Sequence, residues 1–433
     1  MDTLYLGIDV GTSGVRTAVV DAAGKVVASA RAKHPEPASK LDPGQADAND
    51  WWHAVAACLD RQIDTLREQG ISAAQINAAS VDGTSGTMVL VNEAIQPVTP
   101  GLMYSSSGFD EEAATIAQIA PEGSITRGSN SALARLLRLQ SYDKAREAKW
   151  LCHQADFILA NLAGHAGFSD DNNALKTGFD PATGHWPEWF NKARVRTSLL
   201  PEVKHVGVPI GRISAAMGAR FGFSPNMHLL SGTTDSIAAF LATGANRVGD
   251  AVTSLGTTLA IKLLCDVRID DPAQGVYSHR LGDQWLVGGA SNTGGGVLAH
   301  HFSPEQMTKL SATIDPDLTT GLDYYPLLKP GERFPINDPN FPARLTPRPN
   351  DDALFLHGML ESIARIEKQG YDALNRLGGP PIGRLFTAGG GAQNPAWTAI
   401  RKRIVCPQME DAANSEASVG TAFLCRRWAD LHS

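Results

Sequence analysis

The chain has 433 residues, and since domains commonly hold roughly 100 to 200 residues, two or more domains are expected. Hydrophobic residues make up 43% of the chain, and its 42 glycines and 25 prolines follow no period, which excludes collagen-like and low-complexity classes. The 38 basic and 45 acidic side chains give a net charge of −7 without any run of five like charges, so nucleic acid is a poor candidate partner.

The five cysteines are widely spaced, include no C-x-x-C pair, and are predicted to be reduced thiols of a cytoplasmic protein. The first residues lack a basic region before an apolar stretch, and no apolar run of 18 residues occurs. We therefore expect a cytoplasmic monomer or homodimer with no membrane partner.

The first elements alternate between strands and a long helix. Leu4–Val10 is an apolar strand that enters a Gly-rich turn, and Val15–Asp21 alternates like its hairpin partner. Apolar residues at helical spacing predict a helix over 50–69, with Asn49 or Asp50 as its N-cap. A second strand, Ile76–Val81, ends in Asp82-Gly83-Thr84-Ser85-Gly86.

The middle of the chain is predicted to be helix-rich over 111–162. Residues 168–190 combine Gly, Pro, Asp and Trp, which indicates an irregular insertion of the kind that carries specificity. Leu229–Asp235 is another strand that ends in a Gly turn, and an apolar helix follows over 236–243.

The second half repeats the strand, Gly-Thr turn and strand of the first, at Ala251–Thr258 and Leu259–Leu264. This echo predicts a duplication with a boundary near 245–249. A helix over 351–377, a strand that runs into Gly389-Gly390-Gly391, and a helix at 415–424 complete the chain. Alternating strands and helices predict an α/β protein with mixed sheets.

Two turns could hold phosphate oxygens through free N–H groups and hydroxyls: Gly11-Thr12-Ser13-Gly14 and Gly256-Thr257-Thr258. Either turn alone is equally compatible with an ordinary β-turn. Asp9 ends a buried strand, where a carboxylate is costly unless it is paired or holds a metal. It is therefore predicted to hold Mg²⁺ through water, the alternative being a hydrogen-bonded turn residue.

Two further positions have a functional and a structural interpretation. Asp235 ends a strand and opens a helix, which suits either a general base for an attacking alcohol or a plain N-cap. The glycines 389–391 indicate close backbone approach to a ligand, with Asn394 free for hydrogen bonds, or else a flexible turn.

Several common sites are excluded. The chain has no G-x-x-x-x-G-K-[ST] phosphate loop and no G-x-G-x-x-G at its first helix. Gly83-Thr84-Ser85-Gly86 places glycine one position too early for a nucleophile elbow, and no metal-ligand cluster is evident.

Taken together, four separated motifs resemble the FGGY family of carbohydrate kinases in order and spacing. They are Gly7–Ser13, Thr233-Thr234-Asp235, Ser254–Thr258 and Gly389–Asn394. The resemblance implies two duplicated actin-like ATPase domains of the ribonuclease H-like type, over 1–246 and 247–433, with ATP and sugar in the cleft between them.

The resemblance also implies roles for individual residues. Asp235 matches the catalytic base and a sugar ligand, and Asp9 attends the sugar and Mg-ATP. The ATP site would include Gly11, Thr12, Ser13, Gly256, Thr257, Thr258, Gly390, Gly391 and Asn394.

The chain departs from the family at its aromatic-x-Asp-x-Arg substrate motif, which appears as Tyr104–Gly108 without the Asp and Arg. With Asp82–Gly86, this resembles a short ribulokinase-like or xylulokinase-like branch and makes Ser85 a sugar ligand. D-Ribulose is the expected acceptor, and D-xylulose, glycerol or another polyol are the alternatives. An actin-like ATPase or a sugar sensor without kinase activity is the alternative of another class.

Overall fold

A computed structural model describes residues 3–36, 41–406 and 408–432. The chain divides into two compact units, of which the first contains the residues up to Ala242 and the segment from Glu416 onward, and the second contains Thr243–Ser415. The predicted division had assigned the end of the chain to the second domain. The structure instead places that segment in the first unit.

The described residues of the first unit form one large mixed sheet and two smaller sheets. Its strands are β1 (Leu4–Val10), β2 (Gly14–Asp21), β3 (Val26–Lys33), β4 (Gln45–Ala46), β5 (Ile76–Gly83), β6 (Met88–Val91), β7 (Gly101–Leu102), β8 (Trp150–His153), β9 (Phe168–Asp170), β10 (Glu202–Lys204), β11 (Pro209–Arg212), β12 (His228–Leu230) and β13 (Thr233–Thr234). Its helices before the second unit are α1 (Ala48–Glu68), α2 (Asp110–Ala117), α3 (Ala132–Tyr142), α4 (Gln154–Ala163), α5 (Asp171–Thr177), α6 (Ala215–Phe221) and α7 (Asp235–Ala242).

Within its described residues, the second unit contains one six-stranded sheet and four α-helices. Its strands are β14 (Asp250–Leu255), β15 (Leu259–Cys265), β16 (Tyr277–Leu281), β17 (Gln284–Ser291), β18 (Arg384–Ala388) and β19 (Met409–Glu410). Its helices are α8 (Gly295–His301), α9 (Pro304–Ser311), α10 (Asp352–Arg376) and α11 (Pro395–Ile404).

The two large sheets share one topology. In the first, the order is β11-β12-β5-β1-β2-β3, with β13 also paired to β5; in the second, it is β16-β17-β15-β14-β18-β19. In both sheets, three consecutive neighbours are antiparallel: β1-β2-β3 in the first and β14-β15-β17 in the second. Two parallel strands then extend the sheet beyond β1 (β5 and β12) and beyond β14 (β18 and β19). This repeated pattern confirms the predicted duplicated α/β architecture.

The apolar residues that recur at helical spacing in α1 form part of the hydrophobic core. Its apolar side is buried and includes Trp51, Val55 and Leu59, which belong to the main hydrophobic cluster of the first unit. The helix begins earlier than predicted because the Asp47 side chain, rather than Asn49 or Asp50, accepts the backbone N–H of Asn49 as its N-cap.

The last helix, α12 (Ala417–His432), explains why the end of the chain belongs to the first unit. It packs against β1 and α7, and two glycines permit the close approach. A Cβ on Gly7 would lie 1.9 Å from the Ser418 carbonyl oxygen, and a Cβ on Gly420 would lie 1.8 Å from that of Ala238. The helix also extends beyond its predicted end at Leu424.

The segment 168–190, predicted to be irregular, contains a strand and a buried helix. Asp170 accepts the backbone N–H groups of Asn172 and Asn173 and so caps α5, which ends at Gly178 in the left-handed conformation. The prediction was wrong over α5, because this helix is short and its polar residues are buried. A sequence pattern with polar residues on the solvent side is therefore missing.

The core of the second unit is built around α10, whose apolar residues pack against the sheet and α11. This core also contains a fully buried ion pair, in which Arg401 Nε and Nη2 donate to Glu367 at 2.6 and 2.7 Å. Across the described ranges, none of the helices has the length and hydropathy needed to span a bilayer.

Candidate active site

Polar side chains form a row across the large sheet of the first unit. Asp9 on β1 is opposite Arg16 on β2 and Asp82 on β5, and Asp82 is in turn opposite Thr233 on β13. Strands β1, β5 and β13 are parallel, so their carboxyl ends lie at one edge of the sheet. The structure thus brings Asp9 to the same edge as the residues that follow Thr233, including Asp235.

Asp9 is 5% exposed and pairs with Arg16. Arg16 Nη1 lies 3.3 Å from Asp9 Oδ2, and Arg16 Nε lies 3.4 Å from Glu416 Oε2. Burial raises the pKa of Asp9, and the Arg16 guanidinium opposes that rise. Asp9 is therefore a buried acid whose charge is only partly compensated within the first unit.

Asp82 is fully buried and touches both the sheet and the last helix. Thr421 on α12 donates to Asp82 Oδ2 at 2.5 Å. Burial, and after it the neighbouring Asp9 carboxylate, raise the pKa of Asp82 well above its usual range.

Asp235 is the first residue of α7 and is partly exposed. Its Oδ1 accepts the Ser236 backbone N–H at 2.6 Å, a contact to the next residue, whereas an N-cap precedes the helix and accepts a later N–H. The N-terminus of a helix favours the negative charge of a carboxylate. Asp235 is consequently a surface-accessible acid at the edge that also carries Asp9.

The strand before Asp235 is held by two asparagines from α5. Asn172 Nδ2 donates to Thr233 Oγ1, and Asn173 Nδ2 donates to the Thr233 carbonyl, both at 3.1 Å. Both asparagines are buried. These bonds hold Thr233, which lies two residues before Asp235, and they therefore fix both β13 and the start of α7.

The first Gly-Thr turn joins β1 to β2, with Thr12 and Ser13 exposed. Gly11 N–H bonds to the Gly14 carbonyl at 2.9 Å, which closes the turn. His34 Nε2 donates to the Gly11 carbonyl at 2.8 Å, and its backbone N–H bonds to the Ser13 carbonyl. His34 therefore holds the turn by bonds to its carbonyl oxygens, and the hydroxyls of Thr12 and Ser13 remain at the surface.

The turn after β5 is bonded on both sides of Ser85. Thr84 N–H and Oγ1 donate to Gln154 Oε1 at 2.9 and 2.8 Å, and Thr87 Oγ1 accepts the Tyr104 N–H at 2.9 Å. The Ser85 hydroxyl is buried and has no hydrogen-bond partner among the residues that the structure describes. A buried hydroxyl without a partner in a fixed turn is a position where a ligand oxygen would be stabilised.

The second Gly-Thr turn joins β14 to β15 and occupies the place in its sheet that the first turn occupies in the other. Gly256, Thr257 and Thr258 are exposed. The start of α8 supports them, since Gly295 N–H bonds to the Gly256 carbonyl at 2.8 Å and Gly296 N–H to the Thr257 carbonyl at 2.9 Å.

The glycine loop after β18 borders a cleft within the second unit. Gly389 and Gly390 are exposed, and the cleft has a volume of about 430 Å³, within the range of small-molecule sites. Its lining includes Thr387, Gly389, Gln393, Lys402, Glu410 and Asn414.

The prediction that Asn394 is free for hydrogen bonds was wrong. Its side-chain oxygen accepts the Trp397 N–H at 3.1 Å as the N-cap of α11, and its Nδ2 donates to Ser311 Oγ at 2.9 Å. A residue immediately before a proline-led helix is a favourable N-cap, and that structural role uses both ends of the amide.

Sequence reasoning did not assign a role to Asp82, Arg16, His34 or Gln154. Asp82 had a usable signal, because it ends a buried strand in the same way as Asp9. The other three contact the turns from positions remote in sequence, with separations such as 70 residues between Gln154 and Thr84, and no local pattern reveals those contacts.

The chain is similar to known carbohydrate kinases along most of its length. Residues 4–242 match the N-terminal domain, and residues 251–417 the C-terminal domain, of the FGGY family of carbohydrate kinases. A xylulose kinase from Streptomyces coelicolor is 26% identical over 93% of this chain and 82% of its own length. A gluconokinase from Bacillus subtilis is 21% identical over 98% of this chain and 85% of its own length.

Among solved structures, a xylulose kinase from Rhodospirillum rubrum superposes with a TM-score of 0.84 at 23% identity, covering 98% of this chain and 90% of the other. This likeness shows the fold. The two family matches together span most of the chain. The chain therefore belongs to the FGGY family of carbohydrate kinases and is an ATP-dependent sugar kinase.

Proposed function

We propose that this kinase phosphorylates a ketopentose, with D-ribulose as the preferred acceptor and D-ribulose 5-phosphate as the product. The observation that carries the proposal is the buried Ser85 hydroxyl, which lies in a turn fixed on both sides and has no partner within the described part of the chain. A small polar contact of this kind suits a sugar hydroxyl. D-Xylulose is the second candidate, because relatives such as the Streptomyces coelicolor protein are named xylulose kinases.

The charges at this edge favour a neutral acceptor over a sugar acid. Asp9, Asp82 and Asp235 all lie at the carboxyl ends of parallel strands or directly after them. A carboxylate on the substrate would be repelled by Asp9 and Asp235 in their ionised forms, whereas Asp82, whose pKa is raised well above its usual range, would add little. Gluconate is therefore a weaker candidate than a pentulose, although gluconokinases are among the relatives.

In the proposed reaction, Asp235 acts as the general base. Its carboxylate takes the proton of the sugar hydroxyl while that oxygen attacks the γ-phosphorus, the bond to the β-phosphate oxygen breaks, and ADP leaves. The negative charge of Asp235 is favoured by its position at the start of α7. Ser85 and Asp9 would hold other hydroxyls of the sugar.

The nucleotide would be bound by the two Gly-Thr turns and the glycine loop. Exposed hydroxyls of Thr12, Ser13, Thr257 and Thr258 would contact phosphate oxygens, and Gly390 and Gly391 would lie against the adenosine. Asn394 would contribute by capping α11 rather than by a free amide.

Asp9 fits a magnesium ion held through water. It is a buried carboxylate that pairs with Arg16 at 3.3 Å, and Mg²⁺ keeps several waters while using one or two carboxylates. No group of three metal-ligating side chains occurs within the ranges that the structure describes, so direct coordination by a cage has no support there. The ion would neutralise charge on the transferring phosphoryl group.

A substrate panel tests this proposal. ADP formation would be measured with Mg-ATP and ketopentoses, aldopentoses, hexoses, gluconate and polyols, and D-ribulose should give the highest kcat/KM, followed by D-xylulose. The Ser85→Ala variant should raise the sugar KM about 3- to 10-fold, the effect of one hydrogen bond. Fast turnover of glycerol or gluconate without turnover of pentuloses would refute the proposal.

A further inference from the structure

Arg135 on α3 is a buried cation without an acidic partner. It is 3% exposed, and it forms no ion pair with any residue in the described ranges. Burial lowers the pKa of its guanidinium to about 10. Arginine is rarely buried without a carboxylate, so its surroundings need a specific explanation.

The guanidinium is bonded to neutral oxygens from three separate segments. Nη1 donates to the Gly86 carbonyl at 3.2 Å, and Nε donates to Ser106 Oγ at 3.1 Å. Nη2 donates to the carbonyls of Tyr104 and Asn130. The planar fork of arginine supplies five donors in fixed directions, which a lysine ammonium cannot reproduce.

Two of these segments flank the Ser85 turn. Gly86 directly follows Ser85, while Tyr104 also donates its backbone N–H to Thr87. Gln154 holds Thr84 on the other side of Ser85. Arg135 therefore completes a set of contacts in which the Thr84 and Thr87 hydroxyls are bonded, while the Ser85 hydroxyl has no bond to any residue that the structure describes.

We propose that Arg135 is a positioning residue for the acceptor sugar: it fixes the Ser85 turn against the segment 103–106 and thereby aims the Ser85 hydroxyl at the substrate. The inference rests on the proposed role of Ser85 as a sugar ligand. It assigns no direct sugar contact to Arg135, because four of its donor contacts are already made to protein oxygens.

The test compares Arg135→Lys, Arg135→Met and Ser106→Ala with the wild type, using the acceptor that the substrate panel finds best. In Arg135→Met the Ser85 hydroxyl should be displaced, so kcat/KM for the sugar should fall at least about tenfold. The KM for Mg-ATP should stay within about twofold of the wild-type value. Arg135→Lys should recover little, since it lacks the fork. Ser106→Ala removes one acceptor and provides a milder variant if Arg135→Met does not fold.

Chemical rescue separates positioning from general structural support. Millimolar guanidinium should restore part of the sugar kcat/KM of Arg135→Ala, whereas ammonium should not. Arg127→Met is the matched control, because Arg127 also donates to two backbone carbonyls, those of Ala120 and Ala117, but away from the Ser85 turn. It should leave the sugar KM unchanged.

The outcomes distinguish this inference from the proposed function. A folded Arg135→Met with unchanged sugar kcat/KM, or one in which the KM values for sugar and Mg-ATP rise equally, would overturn the role of Arg135. An unchanged sugar KM in Ser85→Ala would contradict Ser85 as a ligand. The substrate panel with the wild type decides the identity of the acceptor independently of both variants.

Discussion

Thr421 donates a hydrogen bond to Asp82 across 339 positions of sequence, and so attaches the last helix to the strand edge that carries the acidic residues. Asp82 also lies beside Asp9 in the parallel pair β1 and β5. One hydroxyl therefore helps to keep a buried acid in place next to the residue proposed to attend Mg-ATP and the sugar.

Removing that hydroxyl should destabilise the protein. Thr421→Val keeps the shape of the side chain but leaves Asp82 Oδ2 without its donor, which should lower the free energy of unfolding by about 1 to 3 kcal/mol. Urea unfolding monitored by circular dichroism measures the change. Thr421→Ser retains the hydroxyl and is the control; equal stability of the Val and Ser variants would contradict the role of this bond.

A second prediction concerns pH. Burial, followed by the nearby Asp156 carboxylate, raises the pKa of Asp170 to about 7, although its carboxylate accepts bonds from Asn172 and Asn173. The unfolded chain releases this proton near pH 3.9, so between about pH 4 and pH 7 the folded state binds more protons. Stability from this group is therefore present at low pH and is lost as pH rises through that window.

Asp170→Asn tests this dependence because asparagine does not titrate. Unfolding measured from pH 4 to pH 8 should show a smaller decline in stability for the variant, with a difference in slope of at most about 1.4 kcal/mol per pH unit. Carboxyls with lowered pKa values, such as Asp143 and Glu361, contribute a slope of opposite sign at lower pH, where their stabilisation is lost. Identical pH profiles for wild type and Asp170→Asn would rule out this role.

The buried pair Glu367–Arg401 gives a third prediction. Thr253 Oγ1 donates to Glu367 at 2.5 Å and Arg401 Nη1 donates to Thr387 at 2.7 Å, so the pair joins the strands that precede the second Gly-Thr turn and the glycine loop. Arg401→Met alone leaves an uncompensated buried carboxylate and should cost about 3 to 5 kcal/mol.

The double variant Glu367→Leu, Arg401→Met removes both charges and should be more stable than either single variant. Thermal unfolding of the four proteins of this double-mutant cycle gives the coupling between the two residues. Additive losses in the double variant would show that the charges do not compensate each other.

A fourth prediction concerns the contact between α12 and α7. The Cβ of Gly420→Ala would meet the Ala238 carbonyl oxygen, so the helices must separate, at a cost of about 1 to 3 kcal/mol. Gly390→Ala is the matched control for stability, because a Cβ there has no neighbour within 4 Å. Equal melting temperatures for the two variants would contradict the close packing of α12.

Local patterns were enough to predict strands β1, β2, β5, β14 and β15 and the turns that follow them, but not outer strands such as β3, β11, β16 and β19. The hairpins around residues 11–13 and 256–258 follow from alternation and glycine, and their repetition predicted the duplicated topology. The position of α12 could not be predicted, since it depends on close contacts of Gly7 and Gly420 with distant backbone. Likewise, Arg135 looks like an ordinary helix residue until the carbonyls around it are seen.

The central claim, that Asp235 is the base of a sugar kinase, is tested most directly by Asp235→Asn. With saturating Mg-ATP and D-ribulose, ADP formation should fall at least about 100-fold, because only the proton acceptor is removed. Mg-ATP binding and the melting temperature should stay close to those of the wild type. Near-wild-type phosphorylation by the folded Asp235→Asn variant would contradict the account.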